Sequence, residues 1–114
     1  MGKKINWFRI GADISMLSFA ENNIAVVECN GKTICIGKHN DQLFAFAYKC
    51  PHASGILANG YIDAIGNIVC PMHRYKFSLT NGRSAEGYYL KTYPVETRDD
   101  GIYAGFEETG FSFW

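Results

Sequence analysis

The sequence has no excess charge of either sign: eleven Lys and Arg stand against eleven Asp and Glu, a formal net charge of zero. Without a basic surplus there is no global pull toward nucleic acid or an anionic membrane, and neither is expected as a partner. No apolar run approaches the ~20 residues of a bilayer-spanning helix. Met1-Gly2-Lys3-Lys4 leads into a mixed segment and not into the apolar core of a signal peptide. Asn6 stands where a myristoylation motif asks for Ser or Thr, which excludes that anchor as well. Helical periodicity, internal repeats, linkers and low-complexity stretches are all missing, so one compact domain over residues 1–114 is expected.

What is present is strand and turn chemistry. Short β-branched and aromatic runs fall at 24–28, 33–36, 43–48, 68–70, 75–79, 92–97 and 102–106. Asn30-Gly31, Lys38-His39-Asn40-Asp41, Gly66-Asn67, Asn81-Gly82 and Asp99-Asp100-Gly101 separate them with residues that tolerate positive φ or bond to their own backbone. This spacing predicts an all-β chain, an antiparallel sandwich or small barrel, with at most a short helical turn within 54–59. Cys29 and Cys35 flank the Asn30-Gly31 hairpin. In its register Cys29 faces Lys32 and Cys35 faces Val26, so the sulfurs do not meet. Both are expected to be buried, reduced thiols, which suits a reducing, cytoplasmic compartment.

Two further cysteines carry the chemistry. Cys50-Pro51-His52 and Cys70-Pro71-Met72-His73 place two thiols and two imidazoles in paired loops, one leaving the 43–48 strand and the other the strand that opens at Ile68. A binuclear cluster exposes two irons, and each loop then has to present one Cys and one His to opposite ends. A mononuclear zinc site more often takes its pairs as C-x₂₋₄-C and H-x₃₋₅-H; zinc is the alternative. Pro51 and Pro71 fix φ and remove an amide after each Cys, as a plain turn or as tuning of the site.

The C-x-H and C-x-x-H pairs resemble the Rieske signature, in which two Cys hold one iron of a [2Fe-2S] cluster and two His the other. The similarity extends to Cys50-Pro51-His52-Ala53-Ser54-Gly55 with Leu57 and Gly60, to Cys70-Pro71-Met72-His73-Arg74-Tyr75-Lys76-Phe77 with Gly82, and to Asp100-Gly101-Ile102-Tyr103, which is similar to the closing hairpin of the family. It covers about residues 24–106. The resemblance implies a Rieske-like β sandwich or barrel with a small cluster-binding sub-domain formed by loops at about 50–58 and 70–77. Cys50, His52, Cys70 and His73 are then the ligands of a [2Fe-2S] cluster, and no catalytic residue is implied.

The implied function is that of a soluble, oxygenase-associated Rieske ferredoxin, an electron carrier and not an enzyme. It would take single electrons from a reductase and deliver them to a terminal oxygenase or other redox enzyme, as a monomer or weak homo-oligomer. The alternatives are a small Rieske-like subunit of a reductase such as nitrite reductase, and a zinc-stabilised structural or interaction domain. No dinucleotide fingerprint and no two-His-one-carboxylate iron site is evident, which excludes a complete oxygenase.

Two His in place of two thiolates make the cluster easier to reduce, hence about −150 to +300 mV in Rieske centres against about −400 mV in plant-type ones. High-potential members carry a disulfide and hydroxyl donors around the ligands. Here Gly55 and Met72 occupy the disulfide positions, Tyr75 replaces the Ser and Phe77 the Tyr, so the lower part of the range is expected. Residues 84–94 resemble the covering loop of the family without its usual proline, and Tyr88 and Tyr89 either shield the cluster or pack as ordinary aromatics. Lys49, Arg74 and Lys76 adjoin the ligand loops, and strand alternation would set Arg74 and Lys76 on one exposed face. His39, in a polar hairpin, is expected to be solvated. The aromatic tail from Gly105 to Trp114 is expected to dock back on the domain or to meet another subunit.

Overall fold

The computed structural model describes residues 4–51 and 55–108. Its strands are β1 (Lys4–Gly11), β2 (Ile24–Cys29), β3 (Lys32–His39), β4 (Gln42–Ala47), β5 (Tyr61–Ile62), β6 (Asn67–Val69), β7 (Lys76–Ser78), β8 (Thr92–Tyr93), β9 (Val95–Arg98) and β10 (Gly101–Glu108). They pair antiparallel in three sheets, ordered β1-β10-β9, β2-β3-β4-β8 and β5-β6-β7. The all-β expectation is met.

Alternation along β2, β3 and β4 buries the central sheet on both sides. Ala25, Ile34, Ile36 and Ala45 pack with Ile102, Ala104 and Phe106 of β10. Ile24, Cys35 and Phe46 point the other way and pack with Leu57, Ile68, Phe77, Leu79 and Leu90, and with Cys50 and Cys70. The sheet therefore lies between two cores, and the second core is the floor of the candidate site.

The hairpin at Asn30-Gly31 forms with positive φ at both residues, 54° and 74°. Its register sets Cys29 against Lys32 and Cys35 against Val26. All four cysteines are free thiols. Burial pushes Cys29 up and Cys35 up to about 12, so neither supplies thiolate near neutrality.

Three departures from the sequence-based expectations have identifiable causes. The 92–97 strand is two strands, because Pro94 interrupts the ladder and passes the chain from the central sheet to the β10 sheet; its carbonyl accepts the Gly105 amide at 2.9 Å. The 75–79 strand is confined to Lys76–Ser78 because Arg74 still belongs to a left-handed turn. β1 was unforeseen: its partner β10 is almost the whole chain away, and its Trp7-Phe8 pair blurs the alternation. Residues 105–108 of the aromatic tail belong to β10 and pair with β1, whereas 109–114 lie outside the described residues. The short helical turn is a 3₁₀ turn at Leu57–Asn59.

Asp63 shapes the β5–β6 connection that leads into Cys70. It accepts the Ile65 amide at 3.1 Å, the Asn67 amide at 2.9 Å and Asn67 Nδ2 at 3.2 Å, with Lys76 Nζ at 3.6 Å. Partial burial pushes its carboxyl up, but the hydrogen bonds and the Lys76 charge outweigh this and hold it below the ordinary range. A depressed carboxyl stabilises the fold above its unfolded pKa, and that contribution fades as pH falls through the folded one. We expect Asp63→Asn to cost about 1 kcal/mol near neutrality and the deficit to shrink on acidification. Urea unfolding of parent and variant across the carboxylate range checks it, and a pH-independent gap would assign the effect to shape alone.

Candidate metal centre

Two loops converge at the end of β4 and β6, and each closes on itself in the same way. The Cys50 amide donates to the Gly55 carbonyl at 2.9 Å, and the Cys70 amide donates to the Tyr75 carbonyl at 2.8 Å. Each cysteine thus anchors its loop by backbone while its side chain turns inward; both are buried, Cys50 at 5% and Cys70 at 0% exposure. The two thiols belong to one buried cluster, close enough for Cys50 to act on the Cys70 thiol. The Met72 amide donates to Cys70 Sγ at 3.4 Å. Burial pushes the Cys70 thiol up, the Met72 amide lowers it, and the neighbouring Cys50 raises it again.

The second loop reverses through consecutive left-handed residues, His73 at φ 65° and Arg74 at φ 56°. This reversal exposes His73 at the surface beside the buried thiols. His52 lies outside the described residues. Among the described residues no three of His, Cys, Asp and Glu converge on one point. Cys50 and Cys70 are buried together, whereas His73 is exposed at the surface.

Space around the thiols is tight. A Cβ built on Gly55 would stand 3.0 Å from Cys70 Sγ, 2.7 Å from Met72 Cγ and 3.3 Å from Met72 Cβ. Positions 55 and 72 therefore face each other across the loops, near the ~3.8 Å Cβ separation of a disulfide, although this chain has Gly and Met there. Phe77 is fully buried beneath the site.

The 84–89 segment is pinned despite lacking the expected proline. Ser84 Oγ accepts the Glu86 and Tyr88 amides at 3.1 and 3.3 Å, the Ser84 amide donates to the Tyr88 carbonyl at 3.1 Å, and Gly87 takes φ 92° to close the turn. Tyr88 packs on Tyr75, centroids 5.4 Å apart, and Tyr75 lies 6.4 Å from His73. Tyr89 remains 58% exposed. Arg74 and Lys76 are both exposed, with Tyr75 and Phe77 less so, although Arg74 belongs to the turn and Lys76 reaches Asp63. His39 is only half-exposed, with its ring against Gly66.

Against known proteins, residues 6–95 match the family model of the Rieske [2Fe-2S] domain. The chain belongs to the Rieske [2Fe-2S] family. It is 30% identical, over 66% of its length and 74% of the relative's, to the ferredoxin subunit of 3-phenylpropionate/cinnamic acid dioxygenase from Photorhabdus laumondii. Its fold matches a chain in the complex of reduced oxygenase and oxidized ferredoxin of carbazole 1,9a-dioxygenase with a TM-score of 0.73 at 24% identity, covering 90% of this chain and 95% of that one. A protein from Mycobacterium tuberculosis described as a nitrite reductase small subunit matches with a TM-score of 0.77 at 16% identity, covering 93% and 99%. The cofactor of this family is the [2Fe-2S] cluster, which supersedes the zinc alternative. The paired thiols and the surface imidazole fit such a group in the chemistry of their donors.

One residue was invisible to sequence reasoning. Asn22 donates through Nδ2 to the carbonyls of Ala58 and Gly60 at 2.8 and 2.9 Å and accepts the Ile24 amide at 3.2 Å. It ties the central sheet to the 3₁₀ turn that follows the first ligand loop. No local pattern marks it, because its partners lie 36 and 38 residues away. Asn22→Ala should lower stability by about 2 kcal/mol and speed the release of iron. Thermal unfolding and iron release to a chelator check this, and parent-like values in both would show that the loop holds its place without the strut.

Proposed function

We propose that this chain is a ferredoxin that carries single electrons from a reductase to a terminal oxygenase or comparable redox enzyme. Cys50 and Cys70 would hold one iron, and His52 and His73 the other. The observation that carries this reading is the buried pair of thiols held side by side by two matching loop closures, with an imidazole at the surface of the second loop. The bound cluster supplies one-electron chemistry at moderate potential.

The protein's part is to bury the thiol side, to donate the Met72 amide to Cys70 Sγ and to leave the imidazole side where a partner can approach. Nothing about the arrangement calls for a substrate cavity. A groove of about 650 Å³ is lined by Asp13, Asp41, Leu43, Val95, Arg98 and Ile102 among others, and contains none of the proposed ligands. No helix among the described residues is long and apolar enough to cross a membrane. We take the carrier to be a cytoplasmic single-domain protein, a monomer or weak homo-oligomer. The ferredoxin relatives favour the oxygenase route over a reductase-subunit role, since the nitrite reductase match at 16% identity speaks to the fold alone.

Protein from iron-replete cells should contain two irons and two sulfides per chain, with the spectrum of a mixed Cys/His cluster. His52→Ala, His73→Ala, Cys50→Ser and Cys70→Ser should each lose it. Metal and sulfide analysis with visible and electron paramagnetic resonance spectra decides; stoichiometric zinc in a colourless folded preparation would overturn the reading, and a native cluster in any variant would reassign that ligand.

The potential should lie in the lower part of the Rieske range, because a phenylalanine stands where high-potential members carry a hydroxyl. Phe77→Tyr should raise it by roughly 40 mV, the equivalent of one new hydrogen bond of about 1 kcal/mol to the reduced state. Redox titration is the measurement. An unchanged or lower potential with an intact cluster would refute the hydrogen-bond account.

A further inference from the structure

Charge is unevenly spread over this neutral chain. Between Cys70 and Tyr93 the charged residues are Arg74, Lys76, Arg83 and Lys91 against Glu86 alone, and Lys49 directly precedes Cys50; all are exposed. Lys76 is engaged by Asp63 and Lys91 lies over the Tyr93 ring at 5.8 Å. Lys49, Arg74 and Arg83 remain as cations beside the loops. The compensating acids lie elsewhere, with Asp13, Asp41 and Asp99 on a groove that shares no residue with the loops.

The same end exposes large apolar side chains: Met72 at 45%, Tyr88 at 38% and Tyr89 at 58%. Each is held by a neighbouring contact. Tyr88 packs on Tyr75 in a tilted arrangement, the Ser84-capped turn holds the segment, and Arg83 bridges to Tyr89 in backbone pairing. Aromatic residues and Met at a centre, with charges at the rim, are the composition of a protein interface. A second copy docking through this face would oppose like charges.

We propose that this face docks the acidic face of a protein redox partner, with Met72, Tyr88 and Tyr89 as its dry centre and Lys49, Arg74 and Arg83 steering the encounter. The proposal rests on the electron-carrier reading and specifies the partner's surface chemistry. Because the whole chain has no net charge, any salt dependence of electron transfer reports the local charge at the exit.

The test uses the cluster-loaded protein. Reduced with dithionite, it gives one electron to ferricyanide, an anion, or to hexaamminecobalt(III), a cation. Raising ionic strength to about 0.3 M should slow the first reaction and speed the second. Fluorescein-labelled polyglutamate should bind at low salt, as read by anisotropy. Arg74→Glu with Arg83→Glu should weaken polyglutamate binding about tenfold and reverse both salt trends, with spectrum and unfolding midpoint unchanged. Lys49→Glu alone should give a smaller loss in the same direction, which keeps the test open if the double variant folds poorly, while Lys32→Glu on the β2–β3 turn should do nothing. Salt-independent rates, or parent-like binding by both Arg74→Glu/Arg83→Glu and Lys49→Glu, would overturn the proposal. Equal binding to phosphatidylserine vesicles would do so too, by making the patch a general anion surface. Failure of the carrier reading is distinct: no Rieske spectrum would be present at the outset.

Discussion

The two loop closures set the geometry on which everything else at this end of the molecule depends. Where the Cys50 amide turns back on Gly55 and the Cys70 amide on Tyr75, the amide of each cysteine has a backbone partner before any metal arrives. The thiols can then be buried without stranding those two amides. Their mutual approach is costly as long as both need to lose protons, which is why burial and the neighbouring Cys50 act together to keep the Cys70 thiol protonated. On the proposed reading a cationic metal atom would reverse that balance.

Local chemistry was readable and distant pairing was not. The hairpin at Asn30-Gly31 and the register that separates Cys29 from Cys35 follow from two residues that accept positive φ. Cys50 and Cys70, paired in sequence reading by their loop motifs, are buried in one cluster. β1 escaped because nothing adjacent in sequence announces a partner at β10, and Asn22 escaped because a side chain bridging to Ala58 and Gly60 leaves no periodic trace. Arg74 is exposed for a reason other than strand alternation: the left-handed turn that carries His73 continues one residue further, and the strand begins only at Lys76.

On the proposed reading Met72 serves both redox tuning and docking, while the other residues divide between the two. Gly55, Met72 and Phe77 set what surrounds the sulfurs, and they are small, apolar or buried. Exposed cations near the loops lie in water, where they are screened within about 8 Å at physiological salt and influence encounter more than potential. Tyr75 and Tyr88 join the two groups, since their stack begins beside His73 and ends at the surface.

The central sheet has a consequence for modular design. Ile24, Cys35 and Phe46 roof the core beneath the thiols, while Ala25, Ile34, Ile36 and Ala45 of the same strands line the other core. An excised miniature containing only β5, β6, β7 and the two loops would lose that roof, and its apolar floor would open to solvent. Grafting this centre onto another scaffold therefore means transplanting a two-sided sheet along with it, and with the sheet the packing demands of a layer that never touches the metal.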